Sequence, residues 1–255
     1  LLTVTYPDKE NYFTELYDEN DILLVTSNYS APDVNTSNVF VEVTFPNKSN
    51  YYTQIFNEYD KLLVTSNYDA PDFETSNVLL TVTYPDKENY FTELYDESDT
   101  LLETSNYGIP DPITSNVLLT VTKPNEENFI EKWLDSDYKL LVTSNFSEPE
   151  PITSNILVTV TYPDTSNYYT KLVDSDNDLI KTTTYEYLSN DSILITYKEQ
   201  DQSIFYSELF NSNNELVSHS AYSAPDSSGN VLRTVTRPNV LPYHTELLNS
   251  TFDIL

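Results

Sequence analysis

One segment of the chain, Leu79–Val117, reappears along the whole sequence at an almost constant spacing. Successive copies begin 39 residues apart four times, and the last two spacings are 37 and 38 residues. Arrays of this kind are stabilised by packing between neighbouring repeats and need no single central core. We therefore interpret the chain as one tandem-repeat array. Its units are 1–39, 40–78, 79–117, 118–156, 157–193, 194–231 and 232–255, of which the last is partial.

Each unit contains three segments with the residue alternation expected of β-strands. Strand A reads LLTVTYP in the first unit and ends at a proline, which cannot continue a hydrogen-bonded ladder. Strand C reads KLLVTSN or a close variant, and a short acidic turn joins strand B to it. Strand B begins with an aromatic residue in every unit, at Tyr12, Tyr51, Tyr90, Phe129, Tyr168, Phe205 and Tyr243.

The opposite face of strand B is not purely polar, because it carries Tyr17, Phe56 and Tyr95 in the first three units. We therefore expect strand B to be covered in part on both faces. The row that begins with Tyr12 is expected to pack as a ladder that joins successive repeats. The alternative is a row of tyrosines on which sugars stack.

No stretch of the sequence sustains a helical period, so the predicted fold is all-β. Its tandem three-stranded repeats of about 39 residues are expected to form an elongated β-meander or solenoid. The alternative is a β-propeller, because about 40 residues is a normal blade length. Only Gly108 and Gly229 are present, so Asn and Asp are expected at the turn positions that need a positive φ.

The chain carries 12 basic and 41 acidic side chains, which gives a formal net charge of −29. Phosphate backbones and anionic lipids repel such a polyanion, so no nucleic acid is expected as a partner. No apolar run is long enough for a membrane-spanning helix, so no membrane insertion is expected in this segment. The absence of cysteine excludes disulfides, thiolate catalysis and cysteine-ligated zinc. Because the chain starts and stops inside repeats, we expect it to be part of a longer polypeptide.

The sequence offers little for catalysis. The two histidines, His219 and His244, replace Thr and Phe or Tyr at repeat positions, which is typical of drift on a strand surface. With two glycines there is no phosphate-binding loop, nucleophile elbow or dinucleotide fingerprint. The carboxylates recur with the repeat, whereas an enzyme generally needs one asymmetric site. We therefore expect no enzyme and name no catalytic or cofactor-binding residue.

The turn at Asp174, Asp176 and Asp178 has the spacing with which a calcium loop begins. An EF-hand would also need Gly at position 179 and an acidic residue at position 185, where this chain has Leu179 and Tyr185. A solvated acidic hairpin tip is therefore the favoured interpretation. Calcium bound between repeats is the alternative, and no other cofactor is expected.

Six sequons of the form N-x-S/T are candidates for N-glycosylation. Two of them fall at the same place in their units, near the end of strand C, where we expect an exposed loop to begin. Sugar at these positions requires a secreted eukaryotic protein. The candidates are Asn28, Asn35, Asn47, Asn145, Asn190 and Asn249.

The pattern T-V-T-Y-P-D followed by N-Y-F-T-E-L-Y resembles the tandem repeats of fungal cell-wall adhesins of the agglutinin-like and flocculin type. It covers about half of each unit. Those repeats are rich in glycine and threonine, whereas these are acidic and nearly free of glycine. The segments Y-P-D and L-Y-D are also similar to bacterial YD repeats, although the usual glycine after YD is missing. Both resemblances imply an extracellular β-repeat scaffold, and neither supplies a binding residue.

These observations favour a structural, non-catalytic protein at the cell surface or outside the cell. It would form part of a fibre, a filament or an adhesin stalk, and self-association into such a fibre is expected. The alternative is a β-repeat module that binds glycans or protein through loops that differ between units. The loops YSAPDVNTS and YDAPDFETS differ more than strand A does, which is consistent with this alternative.

Overall fold

A computed structural model describes residues 2–5, 12–46, 48–85, 87–200, 205–238 and 240–254. These residues form strands joined by turns and loops, without a helix. The strands are β1(Leu2–Thr5), β2(Tyr12–Tyr17), β3(Leu23–Tyr29), β4(Val39–Thr44), β5(Tyr51–Phe56), β6(Leu62–Tyr68), β7(Val78–Thr83), β8(Tyr90–Tyr95), β9(Leu101–Tyr107), β10(Val117–Thr122), β11(Phe129–Leu134), β12(Leu140–Phe146), β13(Ile156–Thr161), β14(Tyr168–Val173), β15(Leu179–Tyr187), β16(Ile193–Glu199), β17(Phe205–Phe210), β18(Leu216–Tyr222), β19(Val231–Arg237) and β20(Val240–Leu248).

The chain divides into two compact units. The first contains Leu1–Glu126 and Leu134–Tyr138, and the second contains Glu127–Trp133 and Lys139–Leu255. In the first unit each strand from β1 to β10 pairs antiparallel with the next. In the second unit the same holds from β12 to β20. The predicted all-β class and its three strands per repeat are confirmed.

Each of these sheets is an open meander. The strand that ends one repeat pairs with the strand that opens the next, as β3 does with β4 and β6 with β7. A propeller would instead separate its blades into individual sheets. The propeller alternative therefore does not describe either unit.

Equivalent residues of successive repeats lie on opposite faces of the sheet in the first unit. Tyr29 pairs with Val41, and Val41 pairs with Gln54, so these three side chains share one face. Tyr51 is three residues from Gln54 along β5 and therefore points to the other face. The alternation arises because three antiparallel strands per repeat reverse the direction of every second repeat. A continuous row of equivalent tyrosines on one face, as the sequence suggested, does not form here.

The core of each unit is thin. Most of its buried apolar side chains lie at alternate positions of strand A, for example Val41 and Val43 on β4 and Leu80 and Val82 on β7. Each described strand contacts only its neighbours in the sheet. No described large side chain is buried completely. Strand B is half-buried at most positions on both faces, which confirms the expectation of partial cover.

The stacking of one repeat on the next is visible in a cluster of the second unit. Val158, Val160 and Val173 form its buried part. Phe146 from the preceding repeat and Tyr169 from the same repeat as the valines pack against them. Strand C of one repeat therefore shares an apolar cluster with the three strands of the next.

The turn between strands B and C repeats one hydrogen-bond pattern. In the first repeat Asp21 N–H donates to the carbonyl of Asp18, and Asp18 N–H donates to the carbonyl of Ile22. The fourth turn residue has a positive φ, 62° at Asp21. Asp and Asn fill this position in five such turns, as predicted, but Tyr138 and Phe252 fill it in two others. These residues are Asp21, Asp60, Asp99, Tyr138, Asn177, Asn214 and Phe252.

Serine takes the positive φ in the longer loops between repeats, which the sequence analysis did not anticipate. Ser37, Ser76, Ser115 and Ser154 have φ values from 57° to 61°, and Gly229 occupies the equivalent place at 80°. In the first of these loops Ser37 N–H donates to the carbonyl of Asp33, and the Asp33 carboxylate accepts the N–H of Thr36. The acidic side chain thus holds the serine in its left-handed conformation.

The described residues include no helix with the length and hydropathy needed to cross a bilayer.

Two valines, one in the second repeat and one in the loop before it, test where the stability of the sheet resides. Val43 is 3% exposed in the sheet, and Val34 is 95% exposed in the preceding loop. Val43→Ala should lower the free energy of unfolding by about 2 kcal/mol, because two buried methyl groups are lost. Val34→Ala is the matched control and should change it by less than about 0.5 kcal/mol. Denaturant unfolding of the full chain followed by circular dichroism measures both, and equal effects would contradict the assignment of the core.

Candidate functional site

An aromatic ring at the start of strand B stacks on an aromatic ring at the end of strand C in six repeats. The Tyr12 and Tyr29 rings are nearly parallel, with centroids 4.4 Å apart. Each stacked pair lies within one repeat, so the expected ladder of the Tyr12 row between successive repeats is replaced by separate pairs. The pairs are Tyr12–Tyr29, Tyr51–Tyr68, Tyr90–Tyr107, Phe129–Phe146, Tyr168–Tyr185 and Phe205–Tyr222.

A groove in the first unit lies beside the first of these pairs. Its volume is about 720 Å³, within the roughly 300–1,000 Å³ typical of small-molecule sites. We call it the Asp60 groove, after the carboxylate found among its described lining residues. The residues that line it include Tyr12, Tyr29, Pro32, Val39, Val41, Val43, Tyr52, Gln54, Phe56 and Asp60.

Asp60 enters the groove from the turn between β5 and β6. Its φ of 58° is held by the turn, in which Asp60 N–H donates to the carbonyl of Asn57. Burial is the main cause that raises the pKa of Tyr12, and the neighbouring Tyr29 and the negative charge of Asp60 raise it further. The groove therefore combines apolar walls with phenol hydroxyls and the carboxylate of Asp60, which accepts hydrogen bonds but does not donate them when ionised.

The same turn position carries an aromatic ring in two other repeats. In the first unit Tyr138 lies against Tyr107, with ring centroids 6.5 Å apart, and its hydroxyl is hydrogen-bonded to that of Tyr90. In the second unit Phe252 stands edge-on to Phe205 and Tyr222, at 5.9 and 6.2 Å. In both repeats the ring covers the stacked pair of the preceding repeat. Asp60 occupies the corresponding position beside Tyr12 without supplying a ring.

The aromatic row opposite the Tyr12 row is also half-buried. Tyr95 donates a hydrogen bond of 2.7 Å to Glu93, and Tyr17 makes the same contact with Glu15. The bond to Glu93 is the main cause that raises the pKa of Tyr95 to about 12, with burial second. These tyrosines pack and hydrogen-bond within their own strands, so they do not form a bare exposed row.

The acidic turns use their first carboxylate internally. Asp18 accepts the backbone N–H groups of Asn20 and Ile22, and Asp96 accepts those of Ser98 and Thr100. These backbone hydrogen bonds lower the pKa of both carboxyl groups, because they favour the ionised form. Asn57 and Asn211 make equivalent contacts without a charge.

The calcium candidate follows the same pattern. Asp174 accepts the N–H groups of Asp176 and Asp178, at 3.0 and 2.9 Å, so its carboxylate closes the turn. Asp176 and Asp178 are exposed, whereas Asp174 is half-buried. Among the residues that the structure describes, no group of three or more acidic or imidazole side chains is arranged to hold a metal ion.

The sequons differ in their surroundings. Asn28, Asn35, Asn145 and Asn190 are exposed. Asn28 and Asn145 lie within β3 and β12, so these strands run slightly further than the sequence suggested.

The remaining two sequons are distinct cases. Asn249 is half-buried, and its side-chain oxygen accepts the N–H groups of Thr251 and Asp253 in a turn. Asn47 lies outside the described residues.

The structure does not bring the two histidines together. Ser220 pairs with Val235, and Val235 pairs with His244, so these residues share one face of the sheet. His219 is adjacent to Ser220 in β18 and therefore lies on the other face. There it packs on the Tyr206 ring at 5.5 Å, whereas His244 lies 3.3 Å from Glu246.

Comparison with known protein families finds none that matches the chain, and comparison with curated proteins finds no significant match.

The lowered pKa of Asp96 predicts how the stability of the protein changes with pH. Because the folded-state pKa of Asp96 is lowered, its stabilising contribution is present above the ordinary pKa of about 4 and is lost as the pH falls through the folded value. Thermal unfolding should therefore show Asp96→Ala less stable than the unmodified chain at pH 7, with the difference shrinking below pH 4. Asp96→Asn is the control, because the natural Asn57 and Asn211 turns suggest that it keeps the contacts without the titration. A difference that is constant with pH would contradict the prediction.

The raised pKa of Tyr95 predicts how stability and phenolate absorbance change at alkaline pH. Its pKa of about 12 lies above the ordinary value near 10, so its contribution to stability is complete below pH 10 and is lost as the pH rises through 12. The phenolate absorbance of the unmodified chain minus that of Tyr95→Phe should titrate near pH 12. Glu93→Gln removes the carboxylate and should move this titration toward pH 10. A Tyr95 titration already at pH 10 in the unmodified chain would be inconsistent with the hydrogen bond.

Proposed function

We propose that this chain is a structural, non-catalytic segment of an extracellular fibre, filament or adhesin stalk. The observation that carries the proposal is the apolar cluster shared by successive repeats, as at Val158, Val160 and Phe146. A repeat built in this way is completed by the next repeat, so its sequence is suited to extending an array. The recurrence of one pattern of turns and stacked rings supports the same function.

Each repeat lengthens the sheet, because its three strands lie side by side. Neighbouring strands are about 4.8 Å apart, so three strands extend a sheet by about 14 Å per repeat. The net charge of −29 would keep such segments apart at low ionic strength and let salt or cations control their association. The exposure of Asn28, Asn35, Asn145 and Asn190 is compatible with a secreted glycoprotein, in which these sites would carry sugar.

Duplication of one repeat tests the proposal directly. A second copy of residues 79–117, inserted after Val117, should fold into the array and lengthen the particle by about 14 Å. Small-angle X-ray scattering of the full chain with and without the insertion measures the change in maximum dimension. The control is an insertion of the same composition in scrambled order, which should add disordered mass and lower the mean β content. An intact duplicate that leaves the maximum dimension unchanged would refute the extension role.

Self-association is measured separately by sedimentation of the full chain at increasing ionic strength. Screening of the negative charges should increase the mean particle mass as salt is raised from about 0.01 M, where the screening length is about 30 Å, to about 0.15 M, where it is about 8 Å. A monomer at every salt concentration would refute self-assembly of this segment. The stalk function would then rest on the length measurement alone.

A further inference from the structure

The Asp60 groove has two internal counterparts that show which shape fits beside a stacked pair. Tyr138 provides a ring beside Tyr90 and Tyr107, and Phe252 provides one beside Phe205 and Tyr222. Both come from the turn position that Asp60 occupies in the second repeat. The side chain of Asp60 is shorter and contributes no ring. The position of a six-membered ring is therefore open beside Tyr12 and Tyr29, and the groove of about 720 Å³ lies there.

The groove has Asp60 at the turn position that Tyr138 holds in its own repeat, and this difference also defines which groups the groove offers to a ligand. Where Tyr138 brings a hydroxyl that hydrogen-bonds to Tyr90, Asp60 brings a carboxylate beside Tyr12. An ionised carboxylate only accepts hydrogen bonds, so a matching ligand must donate them. Ser30 does not compete for this role, because its hydroxyl donates to the carbonyl of Ala31 and accepts the N–H of Phe40. The walls formed by Val41, Tyr52 and Phe56 require an apolar face on the same ligand.

The negative charge of the groove and of the whole chain narrows the class of ligand further. Asp60 and the net charge of −29 oppose an acidic ligand, so carboxylated and sulfated sugars are excluded as good ligands. A neutral pyranose ring satisfies every requirement. It is a six-membered ring, its C–H groups form an apolar face that packs on aromatic side chains, and its hydroxyls are hydrogen-bond donors.

We propose that the Asp60 groove binds a pyranose ring of a neutral glycan. The ring takes the position that Tyr138 holds in its own repeat, with its C–H face against Tyr52 and Phe56 and a hydroxyl donated to Asp60. This site is additional to the proposed structural function and does not depend on it. Through this site, the stalk segment contacts the carbohydrate of a surface or matrix.

The experiment uses saturation-transfer NMR and calorimetry on the full chain. The probes are the neutral trisaccharides of glucose, mannose and N-acetylglucosamine, an oligoglucuronate as the acidic comparison, and p-cresol as a mimic of a tyrosine side chain. Asp60→Tyr should close the groove as Tyr138 does and abolish binding. Asp60→Asn should weaken binding by at least about tenfold, the factor that one hydrogen bond to a charged group is worth. Asp21→Tyr places the same change at the same turn position outside the groove and should leave binding unchanged.

The proposal is supported if at least one neutral trisaccharide binds and the two Asp60 variants lose affinity while Asp21→Tyr does not. It is overturned if no neutral sugar binds, or if binding persists in Asp60→Tyr with an unchanged circular dichroism spectrum. Binding of p-cresol alone would also overturn it and would indicate an aromatic side chain of a protein partner. Asp60→Asn keeps the test decisive if Asp60→Tyr fails to fold, because asparagine is native at turn positions with the same positive φ, such as Asn177 and Asn214.

Discussion

The number of strands in a repeat is the constraint on which the rest of this structure depends. Three antiparallel strands reverse the chain direction from one repeat to the next, and chirality then requires the next repeat to present its opposite face. In the first unit Tyr12 and Tyr29 therefore share a face with Val41, whereas Tyr51 and Tyr68 share the other face with Leu80. Among the described strands no second layer covers an apolar cluster on one face, so the neighbouring repeat completes it. Cohesion between repeats follows from this geometry without disulfides or a central core.

The turn chemistry supports the same arrangement with almost no glycine. A left-handed residue other than glycine costs about 1–2 kcal/mol, yet the position is filled by Asp21, Tyr138 and Phe252 alike. Favourable contacts made by side chains of the turn offset this cost. An Asp or Asn side chain at the first turn position binds backbone N–H groups, and the rings of Tyr138 and Phe252 cover a stacked pair. The fourth turn position can therefore vary between repeats without changing the backbone, which is how a constant scaffold acquires a local groove at Asp60.

Much of the fold could be predicted from the sequence, because strand identity depends on local alternation and the repeat spacing defines the units. Strands A, B and C and the Asp and Asn turns such as Asp21 follow from these local signals. The alternation of faces was missed, since it depends on the parity of strands across a repeat and not on any single segment. The partner of Tyr12 was also missed, although Tyr29 and its equivalents recur at a constant distance along the chain. The groove could not be predicted, because it depends on the absence of a ring at Asp60 and on contacts between two repeats.

The distribution of charge explains how so acidic a chain can form a sheet. Many of its carboxylates lie in turns and loops at the ends of strands, where Asp18, Asp33 and Asp96 accept backbone N–H groups and remain in contact with water. The buried positions of strand A carry valine and leucine, and the buried polar residues are serines and threonines such as Ser105 and Thr183. Repulsion is thus greatest at the strand ends, where salt screens it, whereas the fewer carboxylates within strands, such as Glu93 opposite Leu80, are half-buried beside apolar side chains. The acidic composition is therefore compatible with packing between successive repeats of one unit. It opposes close contact between the strand ends of two copies of the chain.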